Sequence, residues 1–147
     1  MFNQIILNMN TFTKKTITAH LSHQMIAAAV LKAEELKFSI AISIVDESGN
    51  LKAFSRMDMA PLIAIDASRK KALTAVGFGF PTGEAWYNFI KDDPILHEGA
   101  HNLKDFILLG GGSPITIDGE IVGAIGISGG HYKQDEQCMN AALNTIS

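Results

Sequence analysis

One cysteine, Cys138, is all the chain has, so a disulfide within it is impossible. Positive charge is also scarce: 12 lysines and arginines against 15 acidic residues leave a net charge of −3. The only basic cluster is Arg69-Lys70-Lys71, with no aromatic platform beside it. That argues against a nucleic-acid binder. Near the N-terminus the only apolar run is Ile5-Ile6-Leu7, with no preceding basic residue and no small-residue cleavage site. It is too short for a signal-peptide core or a membrane span, so the expectation is a cytoplasmic protein without a membrane partner. No repeat, linker or low-complexity segment divides the 147 residues, of which 47% are hydrophobic and 18% charged. The chain therefore reads as one domain over 1–147, with residues 1–12 expected to form a disordered N-terminal extension.

Glycine, by contrast, is concentrated in one place. Eight of the 13 glycines fall within Gly110 to Gly130, interleaved with β-branched residues. Ile115 to Ile117 read as a strand, Asp118-Gly119 as a tight turn, and Ile121 to Ser128 as the returning strand. Gly123 and Gly126 leave that second strand bare, so either another backbone or a flat ligand could lie on it. Neither Rossmann nor Walker spacing fits, because no Gly-Lys-Ser/Thr follows and no helix starts where a phosphate would sit.

Elsewhere the pattern alternates between helix and hairpin. Thr13 to Lys37 reads as a helix from the four-residue recurrence of Ile17, Leu21 and Met25. Ser39 to Asp46 and Leu51 to Arg56 read as strands joined by the turn Glu47-Ser48-Gly49-Asn50. Pro61 suits the first turn of an alanine-rich helix reaching Val76. Thr82 is placed as the cap of a short helix through Trp86 and Phe89, ended by Asp92-Asp93-Pro94. Residues 95–105 remain ambiguous between a loop and one helical turn. Phe106 to Leu109 reads as a strand feeding the glycine hairpin, and Gln134 to Ile146 as the last helix. That order predicts an α+β domain with a mostly antiparallel sheet flanked by helices.

With these blocks in order the chain resembles the GlcG/HbpS family, the haem-binding-type domain also found at the C-terminus of PduO-like proteins. The blocks are Val45-Asp46 with Gly49 and Leu51, then Arg56-Met57-Asp58 and Ala60, then Lys71-Ala72-Leu73-Thr74-Ala75. The most specific is Gly111-Gly112, Pro114-Ile115, Gly119, Gly123 to Gly126, Ser128-Gly129-Gly130 and Asp135-Glu136. The resemblance spans about residues 13–147. It implies a profilin-like or roadblock-like layered domain that assembles into homo-oligomers, often octamers. It also implies binding of haem or a related tetrapyrrole, with corrinoid contexts among PduO-like members. The glycines Gly111, Gly112, Gly129 and Gly130, with Ser128, are then candidate cofactor contacts.

Several side chains carry candidate chemistry. His20 and His23 share one side of the first helix and suit axial haem ligation, because imidazole suits iron; the alternative is that His23 is a core or interface residue. His131 follows the Gly129-Gly130 turn, within reach of a ligand there. Lys71 and Thr74 lie on one face of the central helix, and Lys71 or Arg56 could hold a carboxylate such as a propionate. The alternative is an ion pair of Lys71 or Arg56 with Asp58, Asp66 or Asp135. Asp135 and Glu136 open the last helix, where carboxylates complement its dipole. Cys138 reads as a packed thiol. His97-Glu98-Gly99-Ala100-His101 matches the H-E-x-x-H zinc signature, but the motif needs a helix and a third ligand; His97 and His101 are otherwise candidates for haem iron or an adventitious metal.

Three functional readings follow. One is a binding protein for haem or a related tetrapyrrole, more a binder than a conventional enzyme. Another is an enzyme or accessory protein acting on a small carboxylate held by Lys71 and Arg56. The third is a non-catalytic oligomeric interaction module.

Overall fold

The computed structural model describes residues 9–146; Ile5-Ile6-Leu7 and most of the expected N-terminal extension lie outside the described residues. The elements run α1 (Ala19–Glu35), β1 (Ala41–Asp46), β2 (Leu51–Arg56), α2 (Ile63–Phe78), α3 (Glu84–Ile90), α4 (Pro94–His101), β3 (Gly112–Ile117), β4 (Glu120–Ser128) and α5 (Tyr132–Leu143). The four strands form one antiparallel sheet in the order β2-β1-β4-β3. α2 lies across β1, β3 and β4 on one face, while α1 and α5 pack together on the other. This is the α+β layered architecture expected from the sequence. Among the described residues no helix is long and apolar enough to cross a membrane.

Pleat alternation gives the two sheet faces different chemistry. Toward α1 and α5 point Ile42, Ile44, Ile115, Ile125 and Ile127, which join Met25, Ala29, Ala33, Cys138 and Met139 in the main core. Toward α2 point Ser43, Val45, Ala124, Gly126 and Gly112, facing Ser68, Ala72 and Ala75. A third, separate cluster joins Trp86, Ile90 and Ala100 to Phe80, Phe106 and Leu108. It roots α3 and α4 beside the entrance to β3.

Local chemistry shifts several expected boundaries. α1 starts after Thr18, whose Oγ1 accepts from the Leu21 N–H. Ahead of it the buried Ile17 donates its N–H to the Val122 carbonyl, so the chain runs alongside β4 instead of coiling from Thr13. α2 extends two residues past Val76 to Phe78 and stops at Gly79, which has φ +78°. Thr82 does not cap α3; its hydroxyl accepts from the Gly112 N–H at 2.9 Å, and Gly83 is the cap residue. Asp92-Asp93-Pro94 does more than end α3. The Asp93 carboxylate accepts from the Ile95 and Leu96 N–H groups, and Pro94 occupies the first helical turn, so α4 begins there. Residues 106–109 are not a strand: Thr74 holds the preceding loop, and Leu108 receives the Gly83 N–H. α5 begins at Tyr132, two residues before the expected start.

Candidate functional site

The bare strand of the glycine hairpin is covered by protein. A Cβ on Gly126 would collide with the Ser68 carbonyl and come within 2.5 Å of the Ala72 nitrogen. One on Gly112 would strike the Lys71 carbonyl. These two glycines let the α2 backbone settle onto β3 and β4, so helix backbone lies against this part of the strand. On the opposite face a Cβ on Gly123 would strike the Val45 carbonyl of the neighbouring strand β1, and one on Gly129 would strike the Ser39 carbonyl. Ser128 ends β4, half-buried.

Lys71 uses the opening these residues leave. Its Cα belongs to α2, yet its Nζ lies 2.9 Å from Asp135 Oδ2 on α5 and donates to the Ile127 carbonyl at 2.8 Å. Both residues are 1% exposed. Gly111, at φ +117°, lines the passage: a Cβ there would sit 3.1 Å from Lys71 Nζ and 3.0 Å from Asp135 Cβ. The other Asp135 oxygen accepts from the Gly130 N–H. Burial lowers the Lys71 pKa and raises that of Asp135, with the opposite charge of the partner working against each shift. Of the alternatives open for Lys71, the ion pair with Asp135 is the one formed. A ligand carboxylate finds no free ammonium here. Asp66 instead pairs with Arg69 and Lys70.

Thr74 is likewise engaged internally. Its Oγ1 accepts from the Ile107 N–H at 3.0 Å and donates to the Asp105 carbonyl at 3.2 Å. Arg56 is exposed at the end of β2, opposite Ala41, on the sheet face that carries α2. It therefore stands on the sheet face away from α1 and its histidines.

His20 and His23 are both exposed on α1, so His23 is not a core residue. Neither ring has a hydrogen-bond partner among the described residues. The same strip of helix continues through exposed Ala27 to Leu31, which is 66% exposed. His97 and His101 do lie on a helix, with ring centroids 5.1 Å apart, and His101 also meets Phe106. Among the described residues no group of three or more His, Cys, Asp or Glu side chains gathers to hold a metal. The H-E-x-x-H motif thus has its helix but lacks a third ligand there. His131 serves α5 as its cap: Nδ1 accepts from the Lys133 N–H.

Among the hollows that the described residues form, two lie near the elements above. The larger, about 400 Å³, lies between the start of α3, residues 108–110 and the start of α5, with Tyr87, Leu108, Leu109 and Tyr132 among its walls. A smaller one of about 250 Å³ lies between α2 and the Asp105-Phe106 loop. None of the glycine-hairpin or histidine candidates lines the larger cleft. Its walls were not legible in the sequence because they come from three separated segments, each an ordinary amphipathic or loop sequence. The one available signal was the pairing of Gly83 and Gly110 with Glu136, which becomes meaningful only once the chain is folded.

Residues 17–144 match the sequence profile described as "Haem degrading protein HbpS-like". The chain belongs to the HbpS-like family. A relative from Citrobacter freundii, an uncharacterized 15.0 kDa protein of the dhaT-dhaS intergenic region, is 32% identical over 90% of this chain and 93% of its own length. The corrinoid adenosyltransferase PduO of Salmonella typhimurium is 32% identical over 92% of this chain, but only 40% of PduO is covered. This chain therefore corresponds to part of that protein. Among solved structures, a PduOC–heme complex superposes with a TM-score of 0.82 at 31% identity, covering 90% of this chain and 96% of that one.

Proposed function

We propose that this HbpS-like protein binds haem or a related flat tetrapyrrole, corrinoids included, through His20 and His23 on the outer face of α1. The observation that carries this reading is their placement. Two unpartnered imidazoles stand one turn apart on an exposed helix face that continues into Ala27 and Leu31. A nitrogen ligand beside an apolar strip is what an iron macrocycle requires of a surface. The family's description and the haem bound by a structural neighbour at 31% identity support the same reading. Bound haem would supply a redox-active iron, while the chain's own part is to hold and orient it.

An open helix face covers one side of a macrocycle and leaves the other in water. A second copy presenting its own α1 would remove that apolar surface from solvent. The reading therefore includes a homo-oligomer, and the octamer is the size the resemblance implies. The small-carboxylate reading is weakened, since Lys71 is paired with Asp135.

A hemin titration of purified protein, followed in the Soret region, tests this. We expect a saturable, stoichiometric shift that His20→Ala or His23→Ala weakens at least tenfold and that His97→Ala and His101→Ala leave unchanged. A response no larger than that of a non-specific control protein would overturn it. Light scattering with and without hemin reports the oligomer in the same samples.

A further inference from the structure

The larger cleft has no part in the reading above, yet two of its lining residues, Gly83 and Gly110, lie directly against a carboxylate. Glu136 rests against Gly83 and Gly110. A side chain on Gly110 would strike Glu136 Oε1, and one on Gly83 would come within 2.9 Å of the same oxygen. Gly83 also has φ +93°, a backbone conformation that glycine adopts without strain. Two separate positions must therefore lack a side chain for Glu136 to lie where it does. The carboxylate is half-buried and makes no hydrogen bond or ion pair among the described residues.

The groups around it define what could bind. Tyr87, Tyr132, Leu108 and Leu109 give the cleft apolar and aromatic walls, and its volume of about 400 Å³ suits a small organic molecule. The charged residues lining it are Glu84 and Lys133. Lys71, paired with Asp135, is also within electrostatic reach of Glu136, so its single positive charge is shared between the two carboxylates. With Glu136 included, the cleft carries one negative charge in excess. A carboxylate without a donor, flanked by tyrosine rings, favours a ligand that brings N–H donors and positive charge. An anion would meet repulsion from two carboxylates.

We infer that the cleft between α3, residues 108–110 and α5 is a second binding site, distinct from the α1 histidines, for a small primary amine with an apolar body. Its ammonium group would lie on Glu136, and its body would lie between the tyrosines and leucines.

Benzylammonium, with neutral benzyl alcohol and anionic benzoate of nearly the same shape, provides the test. In calorimetric and protein-observed NMR titrations at neutral pH, benzylammonium is expected to bind saturably and to shift the amides of Leu108, Leu109 and Tyr132. Glu136→Gln, which keeps the shape and removes the charge, should weaken it about tenfold or more. Lys133→Met, which removes the rim cation, should tighten it about twofold. His20→Ala should change nothing. Benzoate binding as tightly as benzylammonium, full affinity in Glu136→Gln, or no saturable shift at these amides would each overturn the inference. Adding saturating benzylammonium to the hemin titration separates the two sites. An unchanged Soret response supports independent sites, and competition would place haem in the cleft and overturn this assignment. Amine binding without any Soret response would remove the haem reading alone.

Discussion

On one face of the sheet, Ile42, Ile44, Ile115, Ile125 and Ile127 meet Met25, Ala29, Cys138 and Met139. On the other, Ser43, Ala124, Gly112 and Gly126 meet Ser68, Ala72 and Ala75 of α2. The first face gains stability from the apolar area that large side chains remove from water. The second brings a helix backbone against strand backbone, which only small residues permit. Close approach in turn makes polar contacts possible, such as Ser43 to Ser68 at 2.9 Å, and leaves the channel through which Lys71 reaches Asp135. The bulky face should fail when atoms are taken away, and the small face when atoms are added.

The largest effect is expected where the small face carries charge. Lys71→Ala leaves Asp135 buried with no counter-charge and should cost about 3–5 kcal/mol in urea unfolding. The double variant Lys71→Met with Asp135→Leu should recover most of that loss; if it does not, the pair contributes more than mutual neutralisation. On the bulky face, Ile127→Ala should cost about 3 kcal/mol by leaving a cavity. A loss under about 1 kcal/mol would mean that the α1–α5 layer collapses into the space and that the two faces do not differ as described. On the small face, Gly126→Ala adds one methyl against the Ser68 carbonyl and Ala72 nitrogen, and should cost about 2 kcal/mol. Cost-free insertion there would erase the distinction.

A smaller effect separates the faces by pH. Cys138 lies wholly within the bulky core, and burial pushes its thiol from 9.0 up to about 11. The unfolded thiol ionises first, so stability is intact below pH 9 and falls as pH rises from 9 to 11. Relative to Cys138→Ala, the parent chain should lose on the order of 1 kcal/mol at pH 10. An equal pH response in both proteins would remove this assignment. At neutral pH the thiol should resist a maleimide until the chain is unfolded.

Much of this division was legible in the sequence, and the reasons are physical. Alternating Ile40, Ile42 and Ile44 announced one bulky face, and the glycines from 110 to 130 announced close approach by something. Sequence alone left open whether that something was a backbone or a ligand, because a bare strand accepts either; the answer lay in α2, some fifty residues away. For Lys71 the sequence left both a ligand carboxylate and an ion pair with Asp58, Asp66 or Asp135 open, because the partner that forms the pair is 64 positions distant. α4 was obscured because Asp93-Pro94 has the composition of a helix terminator and equally that of a helix start. Glu136 was credited only with complementing a helix dipole, since the two glycines that seat it come from other segments.

The Lys71–Asp135 link also has a consequence for how the molecule comes apart. The cation is anchored in the helix over one face and the anion in a helix over the other. Neither layer can peel from the sheet by itself without stranding a charge away from water. Partial openings that would expose one face alone are raised in free energy, and the two layers are bound into a single cooperative unit. A sheet packed by two unlike chemistries thus opens as one body, held so by a side chain that crosses from one to the other.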